Sequence, residues 1–372
     1  MAHKKGNPRY KRQISLKEFG ETGQEKLCNA KVLVVGAGGL GCPALQYLVG
    51  AGIGTIGIVD HDRVSLSNLH RQVLYSSDDI GLFKAIRAAE ILRALNPEID
   101  IIAHDEFLNP TNALSIISQF DIVLDGTDNF ASRYMINDAC VLLNKVLIYG
   151  AISKFEGQIA VFNCETGDVA PKTNYRDLFP NPPAQDEILN CEEAGVIGVL
   201  PGIIGTMMAN ETFKLITGIG VSLINRLMTY NSLTNQIYEL QILARDETRL
   251  LIPENFAAFQ KTDYEWLCSN QSANQIDINL FEQMMQDPAV SFIDVRELNE
   301  IPVVVEFDYL KLPLSSFKNT LEQIKAENVV LFCQSGKRSL SAARILSEHY
   351  GNSKKIYSLK DGIVAWKNLK EV

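Results

Sequence analysis

The sequence contains no Cys-x-x-Cys pair, although it has seven cysteines. Their odd number and wide spacing argue against a disulfide framework and against a four-cysteine zinc site. We therefore expect most of them to be small buried residues in a reducing compartment. The basic N-terminus runs into polar sequence and does not resemble a signal peptide, so we expect a cytoplasmic protein.

The chain also lacks an excess of basic residues, because 35 Lys and Arg stand against 44 Asp and Glu and give a net charge of −9. Nucleic acids bind to basic surfaces, so this balance predicts that no nucleic acid is a main partner. The length of 372 residues is enough for two or three domains.

Residues 32–59 form an uncharged stretch of 28 residues, which is long enough to span a bilayer. Eight glycines and Pro43 interrupt it, and irregular backbone that faces lipid would leave its polar groups unpaired. We interpret the stretch as strand, turn, helix and strand, and we expect no membrane partner.

The turn in that stretch carries the motif on which a nucleotide prediction depends. Its glycines fit G-x-G-x-x-G at Gly36, Gly38 and Gly41. The motif follows an apolar strand and precedes a predicted helix, whose N-terminus offers free N–H groups to an anion. A second strand ends at Asp60, from which an acidic residue can reach a ribose hydroxyl. These features predict nucleotide binding, and a purely structural glycine turn is the alternative.

The order of the predicted elements sets the fold class. Strands and helices alternate up to about residue 149, which predicts an α/β fold with a Rossmann-like, mostly parallel sheet. Residues 157–163 have the pattern of a further strand, which we interpret as part of an antiparallel addition to this sheet.

Two segments depart from the alternation. Residues 170–190 are rich in Pro and Asn and are predicted to form a surface loop without a regular element. Residues 244–275 are mostly polar and are predicted to be a linker. The predicted domains are therefore residues 1–243 and a small α/β unit at residues 276–372.

Polar residues near the ends of the predicted strands discriminate between two nucleotides. Arg71 and Lys84 could neutralise a triphosphate, and Asp128 could hold Mg²⁺ together with phosphate oxygens. An NAD-dependent dehydrogenase needs an acid for the ribose but little cationic help. The grouping favours ATP and nucleotidyl transfer, in which positioning and charge neutralisation supply most of the catalysis. The alternatives are an NAD-dependent oxidoreductase with a regulatory thiol domain and a non-catalytic docking scaffold.

Several segments occur in the order found in one enzyme family. They are Arg9–Gln13, Gly36–Gly41, Asp60, Ser65–Gln72, Lys84, Gly126–Asn129 and Asn190–Gly195. Over residues 8–243 the chain resembles the E1-like adenylyltransferases of sulfur-carrier proteins, the MoeB/ThiF/HesA family. The resemblance implies that ATP adenylates the C-terminal glycine of a ubiquitin-like sulfur-carrier protein ending in Gly-Gly.

The same resemblance implies roles for individual residues. Asp60 would contact the ribose, Asp128 would bind Mg²⁺, and Arg12 would reach the site of the other subunit of a homodimer. Without the resemblance, the basic patch that contains Arg12 would be interpreted as a solvated turn. Cys191 matches a loop cysteine that takes part in sulfur chemistry in some members, and an inert thiol is the alternative. The nucleotide-binding candidates are Gly36, Gly38, Gly39, Gly41, Asp60, Ser67, Asn68, Arg71, Lys84, Asp128 and Asn129, and the catalytic candidates are Arg12, Arg71, Lys84, Asp128, Cys191 and Cys333.

One feature of the family is missing from this chain. Relatives often carry two Cys-x-x-Cys pairs that bind structural zinc, but Asn174-Tyr175-Arg176-Asp177 stands where the first pair belongs. No cysteine occurs between Cys191 and Cys268, so the second pair is missing too. We therefore expect no zinc.

The C-terminal unit has its own candidate nucleophile. Cys333 lies between a predicted strand and helix, and the loop N–H groups, Lys337 and Arg338 could stabilise a thiolate there. A tyrosine phosphatase would need His before the cysteine and five residues between Cys and Arg. Phe332 precedes Cys333 instead, and the loop resembles that of rhodanese sulfurtransferases.

The rhodanese resemblance covers residues 276–372 and includes matching motifs at residues 291–297 and 361–366. It implies that Cys333 carries a persulfide, supplied by a donor such as a cysteine desulfurase; a buried structural cysteine is the alternative. After Glu300 the chain departs from the family's His-Ile-Pro-Gly segment. The two resemblances together predict adenylation of a carrier followed by formation of its thiocarboxylate, in molybdopterin, thiamine or related biosynthesis.

Overall fold

The computed structural model describes residues 7–165, 171–182, 195–269 and 274–370. Its Cα positions divide the chain into two compact units, with the main boundary between Thr262 and Asp263. An eight-stranded sheet belongs to the first unit and a five-stranded sheet belongs to the second. The predicted fold class is confirmed, because the first sheet is mostly parallel with an antiparallel addition and the second unit is a small α/β unit.

The strands of the first unit follow the alternating pattern of the sequence. They are β1 Lys31–Val35, β2 Thr55–Val59, β3 Asp100–His104, β4 Ile122–Asp125, β5 Val146–Ser153, β6 Glu156–Phe162, β7 Arg226–Asn231 and β8 Gln236–Gln241. Their spatial order is β3-β2-β1-β4-β5-β6-β7-β8. Neighbours from β3 to β5 pair in parallel, and those from β5 to β8 pair antiparallel.

The first unit also contains the following helices. They are α1 Lys11–Ile14, α2 Gly20–Asn29, α3 Gly41–Ala51, α4 Lys84–Leu95, α5 Ala113–Ile117, α6 Phe130–Leu142, α7 Tyr175–Leu178, α8 Val199–Thr217, α9 Asp246–Arg249 and α10 Phe256–Lys261. The uncharged stretch at residues 32–59 forms β1, α3 and β2, as predicted. Within the described ranges, no helix is both long and apolar enough to cross a membrane.

Strand β1 is apolar because it lies inside the sheet and is covered on both faces. Val34 is paired with Ile58 on one side and with Leu124 on the other, and all three side chains are buried. The chain passes from β1 to β2 on one side, whereas β4 adds on the other side. The strand order therefore reverses at β1, and in such sheets ligands bind in the crevice outside the carboxyl ends of the strands at this point.

The prediction that residues 170–190 form an irregular surface loop is wrong for residues 171–182. Asn174 caps α7 by accepting the Arg176 N–H at 2.9 Å, and Arg176 forms a buried ion pair with Asp138 at 2.7 Å. The high content of Pro and Asn did not reveal a charged partner 38 residues away in the sequence. Residues 183–190 lie outside the described part of the chain.

The segment predicted as a linker, residues 244–275, contains short helices. Helices α9 and α10 belong to the first unit, and α10 packs against α6 with Phe259 fully buried. Helix α11, Tyr264–Ser269, follows the boundary and belongs to the second unit.

The second unit is built on a parallel sheet with the order β11-β10-β12-β13-β9. Its strands are β9 Asn274–Ile276, β10 Val290–Asp294, β11 Leu310–Lys311, β12 Asn328–Phe332 and β13 Lys355–Leu359. Its remaining helices are α12 Ile278–Met284, α13 Lys337–Tyr350 and α14 Gly362–Lys370. Strands β9 and β11 were not predicted, because segments of three and two residues carry no periodic pattern.

Alternation along β12 divides the core of the second unit between the two faces of its sheet. Val329 and Leu331 pack into one apolar cluster, whereas Val330 and Phe332 pack into the other. Cys333 directly follows this strand and is part of the first cluster. The second sheet therefore carries its candidate nucleophile at the carboxyl end of a central strand.

Candidate functional site

A cavity of about 600 Å³ opens at the carboxyl ends of β1, β2 and β4, where the strand order reverses. Ten of the predicted nucleotide-binding residues line it: Gly36, Gly38, Gly39, Asp60, Ser67, Asn68, Arg71, Lys84, Asp128 and Asn129. The fold thus brings residues from five separate segments of sequence to one crevice.

The glycine loop forms the floor of this cavity. Gly36 has a φ of 91°, and a Cβ there would lie 2.9 Å from the Gly126 carbonyl oxygen, so neither the conformation nor the space admits a side chain. A Cβ on Gly41 would lie 1.9 Å from the Gly36 carbonyl oxygen, which makes Gly41 a packing residue outside the cavity lining. A Cβ on Gly38 would meet nothing closer than the Gln72 amide nitrogen, at 3.6 Å. Gly38 therefore leaves its main chain open to the cavity.

Asp60 holds the glycine loop from the end of β2. Its carboxylate accepts the Ala37 N–H at 2.8 Å through one oxygen and the Asp62 N–H at 2.8 Å through the other. Burial raises the pKa of Asp60, and the Lys84 charge and these two hydrogen bonds oppose that effect. The Tyr75 hydroxyl supports the same loop by donating to the Ala37 carbonyl at 3.0 Å.

Two cations lie beside the loop. Lys84 begins α4, is only 4% exposed, and places its Nζ 2.9 Å from Asp62 Oδ2. Arg71 is half-buried and donates from Nη1 to the Ser67 carbonyl at 3.1 Å. Both side chains line the cavity, so their charges are available to an anion placed on the glycine loop.

The opposite wall follows β4. Asp128 is exposed to the cavity, and Asn129 lines it while capping α6 through its acceptance of the Ser132 N–H at 2.8 Å. Asp125 is buried beneath them, and this burial raises its pKa, whereas the nearby Arg133 charge lowers it. The exposed carboxylate on this wall is therefore Asp128.

Sequence reasoning did not assign roles to three cavity-lining side chains: Asp62, Gln72 and Arg133. Gln72 is 4% exposed, and its Oε1 has no hydrogen-bond partner among the described residues. Arg133 donates to the Thr127 carbonyl at 3.0 Å and lies over the rings of Phe130 and Tyr149. Gln72 is the last residue of the Ser65–Gln72 segment, and that segment could have indicated its role. Arg133 lies within a helix, and no motif in the sequence indicates its role.

Two of the predicted catalytic residues that the structure describes, Arg12 and Cys333, are absent from the lining of this cavity. Arg12 lies on α1, is exposed, and is absent from the cavity lining. Cys191 lies outside the described residues. Cys333 belongs to the second unit, which has its own site.

The cavity offers oxygen ligands that suit Mg²⁺, the ion expected from the sequence. Ligand atoms of Asp60, His61 and Asp62 lie within 4.8 Å of one another, and the Asp128 carboxylate faces the same cavity. Magnesium prefers one or two carboxylates together with phosphate oxygens. Asp62 pairs with Lys84, and both oxygens of Asp60 accept main-chain N–H groups, so the exposed Asp128 carboxylate fits this role best.

Residues 174–177 do not fit a zinc ion, because hydrogen bonds already occupy their polar atoms. Asp177 accepts the Asn174 N–H at 2.8 Å through Oδ2 and the Arg245 N–H at 3.0 Å through Oδ1, which also accepts the Thr248 hydroxyl. These residues offer no thiol, and the Arg176 cation sits at the centre of the segment with its charge on Asp138. A hydrogen-bonded network, rather than a metal site, connects α7 to α9.

The second site surrounds Cys333, which is fully buried between β12 and α13. Its carbonyl accepts the Ile363 N–H from the start of α14 at 2.8 Å, and its Sγ accepts from the Ser339 hydroxyl at 3.5 Å. The loop from Cys333 to Gly336 leads directly into the N-terminus of α13. The sulfur thus lies in an enclosed cradle of main chain and hydroxyl groups.

Arg338 pairs with Glu300 and also lies close enough to Cys333 for the two groups to interact through their charges. Its guanidinium makes a two-pronged ion pair with Glu300, with Nη2 at 2.6 Å from Oε2. This pair lowers the pKa of Glu300 to about 2. Arg338 therefore ties the loop after Val295 to the start of α13 through one N–H on each terminal nitrogen.

Comparisons with known proteins also divide the chain into two domains. The sequence profile of the ThiF family matches residues 10–251, and that of the rhodanese-like domain matches residues 277–369. The chain is 39% identical over 371 residues to a probable adenylyltransferase/sulfurtransferase MoeZ of Mycobacterium tuberculosis, covering 96% of this chain and 92% of that one. It is 46% identical over 262 residues to a sulfur carrier protein adenylyltransferase of Thermus thermophilus, covering 70% of this chain and 96% of that one.

A solved structure shares the fold at lower identity. The crystal structure of E. coli MccB with ATP superposes with a TM-score of 0.55 at 24% identity, covering 64% of this chain and 73% of that chain. An adenylyltransferase and sulfurtransferase MOCS3 of Culex quinquefasciatus is 44% identical over 314 residues, covering 82% of this chain and 70% of its own length.

Proposed function

The chain belongs to the ThiF family and carries a rhodanese-like domain, and from that premise we propose that it is an adenylyltransferase with sulfurtransferase activity. Its substrates are ATP and the C-terminal glycine of a ubiquitin-like sulfur-carrier protein. The sulfur comes from a persulfide on Cys333. The observation that supports the adenylation step is the cavity at the point where the strand order reverses. It has an open glycine loop, two cations and an exposed carboxylate.

Each wall of the cavity has a task in adenylation. The carrier carboxylate attacks the α-phosphorus, the bond between the α and β phosphates breaks, and pyrophosphate leaves. Gly38 and Gly39 admit the phosphates to the main chain, and Arg71 and Lys84 offset the charge that develops on them. Asp128 would hold Mg²⁺, whose chemistry is to neutralise phosphate charge. Asp60 fixes the loop against which the ribose lies.

Arg12 has a place in this proposal only if two copies of the chain associate. It is exposed on α1 and lies outside the cavity of its own chain. We therefore assign it to the phosphates in the cavity of a second copy, in a homodimer. A guanidinium supplied in this way would help to neutralise the negative charge on the phosphates in the transition state.

Sulfur transfer follows adenylation in a balanced sequence. The terminal persulfide sulfur of Cys333 attacks the acyl carbon, AMP leaves, and an acyl disulfide joins carrier and enzyme. A thiol then cleaves the sulfur–sulfur bond, which frees the carrier as a thiocarboxylate and leaves a disulfide to Cys333. Cys191 is the candidate for this thiol, and an external thiol reductant restores both cysteines. A persulfide donor such as a cysteine desulfurase reloads Cys333, and the carrier serves molybdopterin, thiamine or related biosynthesis.

Exchange of label between pyrophosphate and ATP tests the proposed adenylation step. We expect exchange with a ubiquitin-like carrier that ends in Gly-Gly and none with the same carrier lacking its final glycine. If no carrier of this kind elicits exchange, the adenylation assignment is wrong. Binding of a nicotinamide dinucleotide, without need for Arg71 or Lys84, would instead support an oxidoreductase. Unchanged activity of Asp128→Ala would support a docking scaffold.

A further inference from the structure

Three buried side chains form a short line in the second unit. Cys333 ends β12, Ser339 lies in the first turn of α13, and Ser358 lies on the neighbouring strand β13. All three are 0% exposed. The Ser358 hydroxyl donates to Ser339 Oγ at 2.9 Å, and the Ser339 hydroxyl lies 3.5 Å from Cys333 Sγ. Two buried hydroxyl groups therefore form a hydrogen-bonded line that leads to the sulfur.

The direction of the Ser358 hydrogen bond determines what Ser339 can offer. Because Ser339 Oγ accepts the Ser358 hydrogen, the single hydroxyl hydrogen of Ser339 is directed at a different acceptor. Two acceptors are within reach, Cys333 Sγ and the Gly336 carbonyl oxygen at 3.0 Å. That carbonyl already accepts the Leu340 N–H of the helix at 3.1 Å, so it is satisfied without Ser339.

The usual explanation for a serine in the first turn of a helix is local, since such hydroxyls bond to nearby main chain. Ser341 on the same helix illustrates that case, because it is exposed and donates to the Lys337 carbonyl at 3.3 Å. Ser339 differs in two ways. It is fully buried, and it receives a hydrogen bond from another strand, which a local cap does not need.

We infer that Ser339 is a positioning residue for the sulfur of Cys333, and that Ser358 orients its hydroxyl for that purpose. This inference rests on the proposed function, because it assigns sulfur carriage to Cys333. When Cys333 is a thiol, the Ser339 hydrogen turns to Gly336. When Sγ carries negative charge, the hydrogen turns to Sγ, where a charge-assisted hydrogen bond is stronger.

The change of hydrogen-bond acceptor affects both the loading and the unloading of sulfur. Thiosulfate loads the enzyme when the Cys333 thiolate attacks its outer sulfur, a new sulfur–sulfur bond forms, and sulfite leaves. Cyanide unloads it by attacking the terminal sulfur, and the electron pair of the broken sulfur–sulfur bond returns to Sγ. The charge resides on Sγ before loading and after unloading, so the Ser339 hydroxyl stabilises both states. Arg338 adds positive charge near Cys333, but its guanidinium donates to Glu300, and the hydroxyl contact with Sγ comes from Ser339.

The test uses the full-length protein and the rate of carbamidomethylation of Cys333 as a function of pH. The tryptic peptide spanning residues 326–337 contains Cys333 as its only cysteine, so mass spectrometry reports this site alone. We expect Ser339→Ala to raise the pH of half-maximal alkylation by about one unit, the value of one charge-assisted hydrogen bond. Ser358→Ala should give a smaller shift in the same direction, and Ser339→Thr, which keeps the hydroxyl, should restore most of it.

Ser341→Ala is the matched control, and its midpoint should equal that of the unchanged protein. Tryptophan fluorescence verifies that each variant is folded, because Trp266 and Trp366 both follow Thr262. A folded Ser339→Ala protein with an unshifted midpoint overturns the inference, as does an equal shift in Ser341→Ala. If Ser339→Ala does not fold, Ser358→Ala decides by the same criterion. Failure of the unchanged protein to accept sulfur from thiosulfate or a persulfide donor would count against the proposed sulfur transfer, while the alkylation shift would still test the Ser339 contact.

Discussion

Two loops in this protein occupy the same position in their sheets and differ in what they expose. Residues 36–40 join β1 to α3, and residues 333–336 join β12 to α13, each at the carboxyl end of a buried parallel strand. The first loop bounds an open cavity of about 600 Å³, whereas the second encloses a sulfur atom that is 0% exposed. The same topology thus serves a large ligand in one unit and a single reactive atom in the other.

The side chains around the loops follow from this difference. The first loop uses glycine where a Cβ would meet main chain, and its charges, on Arg71, Lys84 and Asp128, face the cavity. The second loop has its arginine paired with Glu300 and places a hydroxyl against the sulfur. An open site can offset a polyanion with full charges, but a closed site would require those charges to be desolvated. A neutral donor suits the buried sulfur better.

The largest effect is expected from a variant of the open cavity, which should impair adenylation and leave sulfur loading unchanged. Lys84→Ala should lower carrier-dependent ATP–pyrophosphate exchange by about 10²–10³-fold, the usual loss when one group that stabilises transition-state charge is removed. It should leave the loading of Cys333 with sulfur from thiosulfate unchanged. Lys31→Ala is the matched control, because Lys31 is an exposed lysine at the opposite end of β1. Equal loss of exchange and loading in Lys84→Ala would show that the two sites are not independent.

The next effect concerns the hydrogen-bonded network of the first unit. Asp177→Asn replaces one of two carboxylate oxygens, which together accept from Asn174, Arg245 and Thr248, by a donating NH2 group. It should lower the free energy of unfolding by about 1–3 kcal/mol. Differential scanning calorimetry of the full chain measures this loss. Asp246→Asn, at an exposed position in α9, is the control and should have little effect.

Metal analysis of the unchanged protein tests the expected absence of zinc, because residues 174–177 stand where relatives often carry a Cys-x-x-Cys pair. We expect no stoichiometric zinc in the purified protein and no change of melting temperature with a chelator. One zinc per chain would contradict the account of residues 174–177, as would a chelator-sensitive melting temperature.

The smallest effect comes from the ion pair of the second unit, which is about one-third exposed. Removing it with Glu300→Gln should cost at most about 1 kcal/mol at neutral pH, the range of exposed ion pairs. The pKa of Glu300 is lowered to about 2, so its stabilisation is complete above its ordinary pKa and is lost as pH falls from there towards 2. Urea midpoints followed by tryptophan fluorescence should therefore converge for the two proteins at low pH. Midpoints that stay equally far apart from pH 7 to pH 2.5 would contradict the prediction.

Local sequence patterns predicted most of the fold and much of the open cavity. The strand before Gly36 and the strand before Asp60 are continuous apolar runs, so the ends of both strands could be placed from sequence. The fold then brings Arg71, Lys84 and Asp128 to those ends because parallel strands share one edge. Lys84 and Asp128 were predictable because each lies beside an element boundary, whereas Arg71 was predicted from the Ser65–Gln72 segment that contains it.

Contacts between distant residues could not be predicted in the same way. The buried pair of Arg176 and Asp138 spans 38 residues, and it converted a segment with loop-like composition into a capped helical turn. Arg338 was expected beside the sulfur because it lies near Cys333 in sequence, and the two groups do interact through their charges. Its ion pair with Glu300, also 38 residues away, had no sequence signal. Side-chain partners depend on tertiary packing, which single-residue preferences do not describe.

The central claim is that the open cavity and the buried sulfur act in succession on one carrier terminus. Incubation of the protein with ATP, Mg²⁺, a persulfide donor, a thiol reductant and a Gly-Gly carrier, followed by intact mass spectrometry of the carrier, tests it directly. The account predicts that one carboxyl oxygen is replaced by sulfur, and that Lys84→Ala and Cys333→Ala each abolish this product. Thiocarboxylate formed at the normal rate by Cys333→Ala, or an adenylated carrier that never acquires sulfur from the unchanged protein, would contradict the claim.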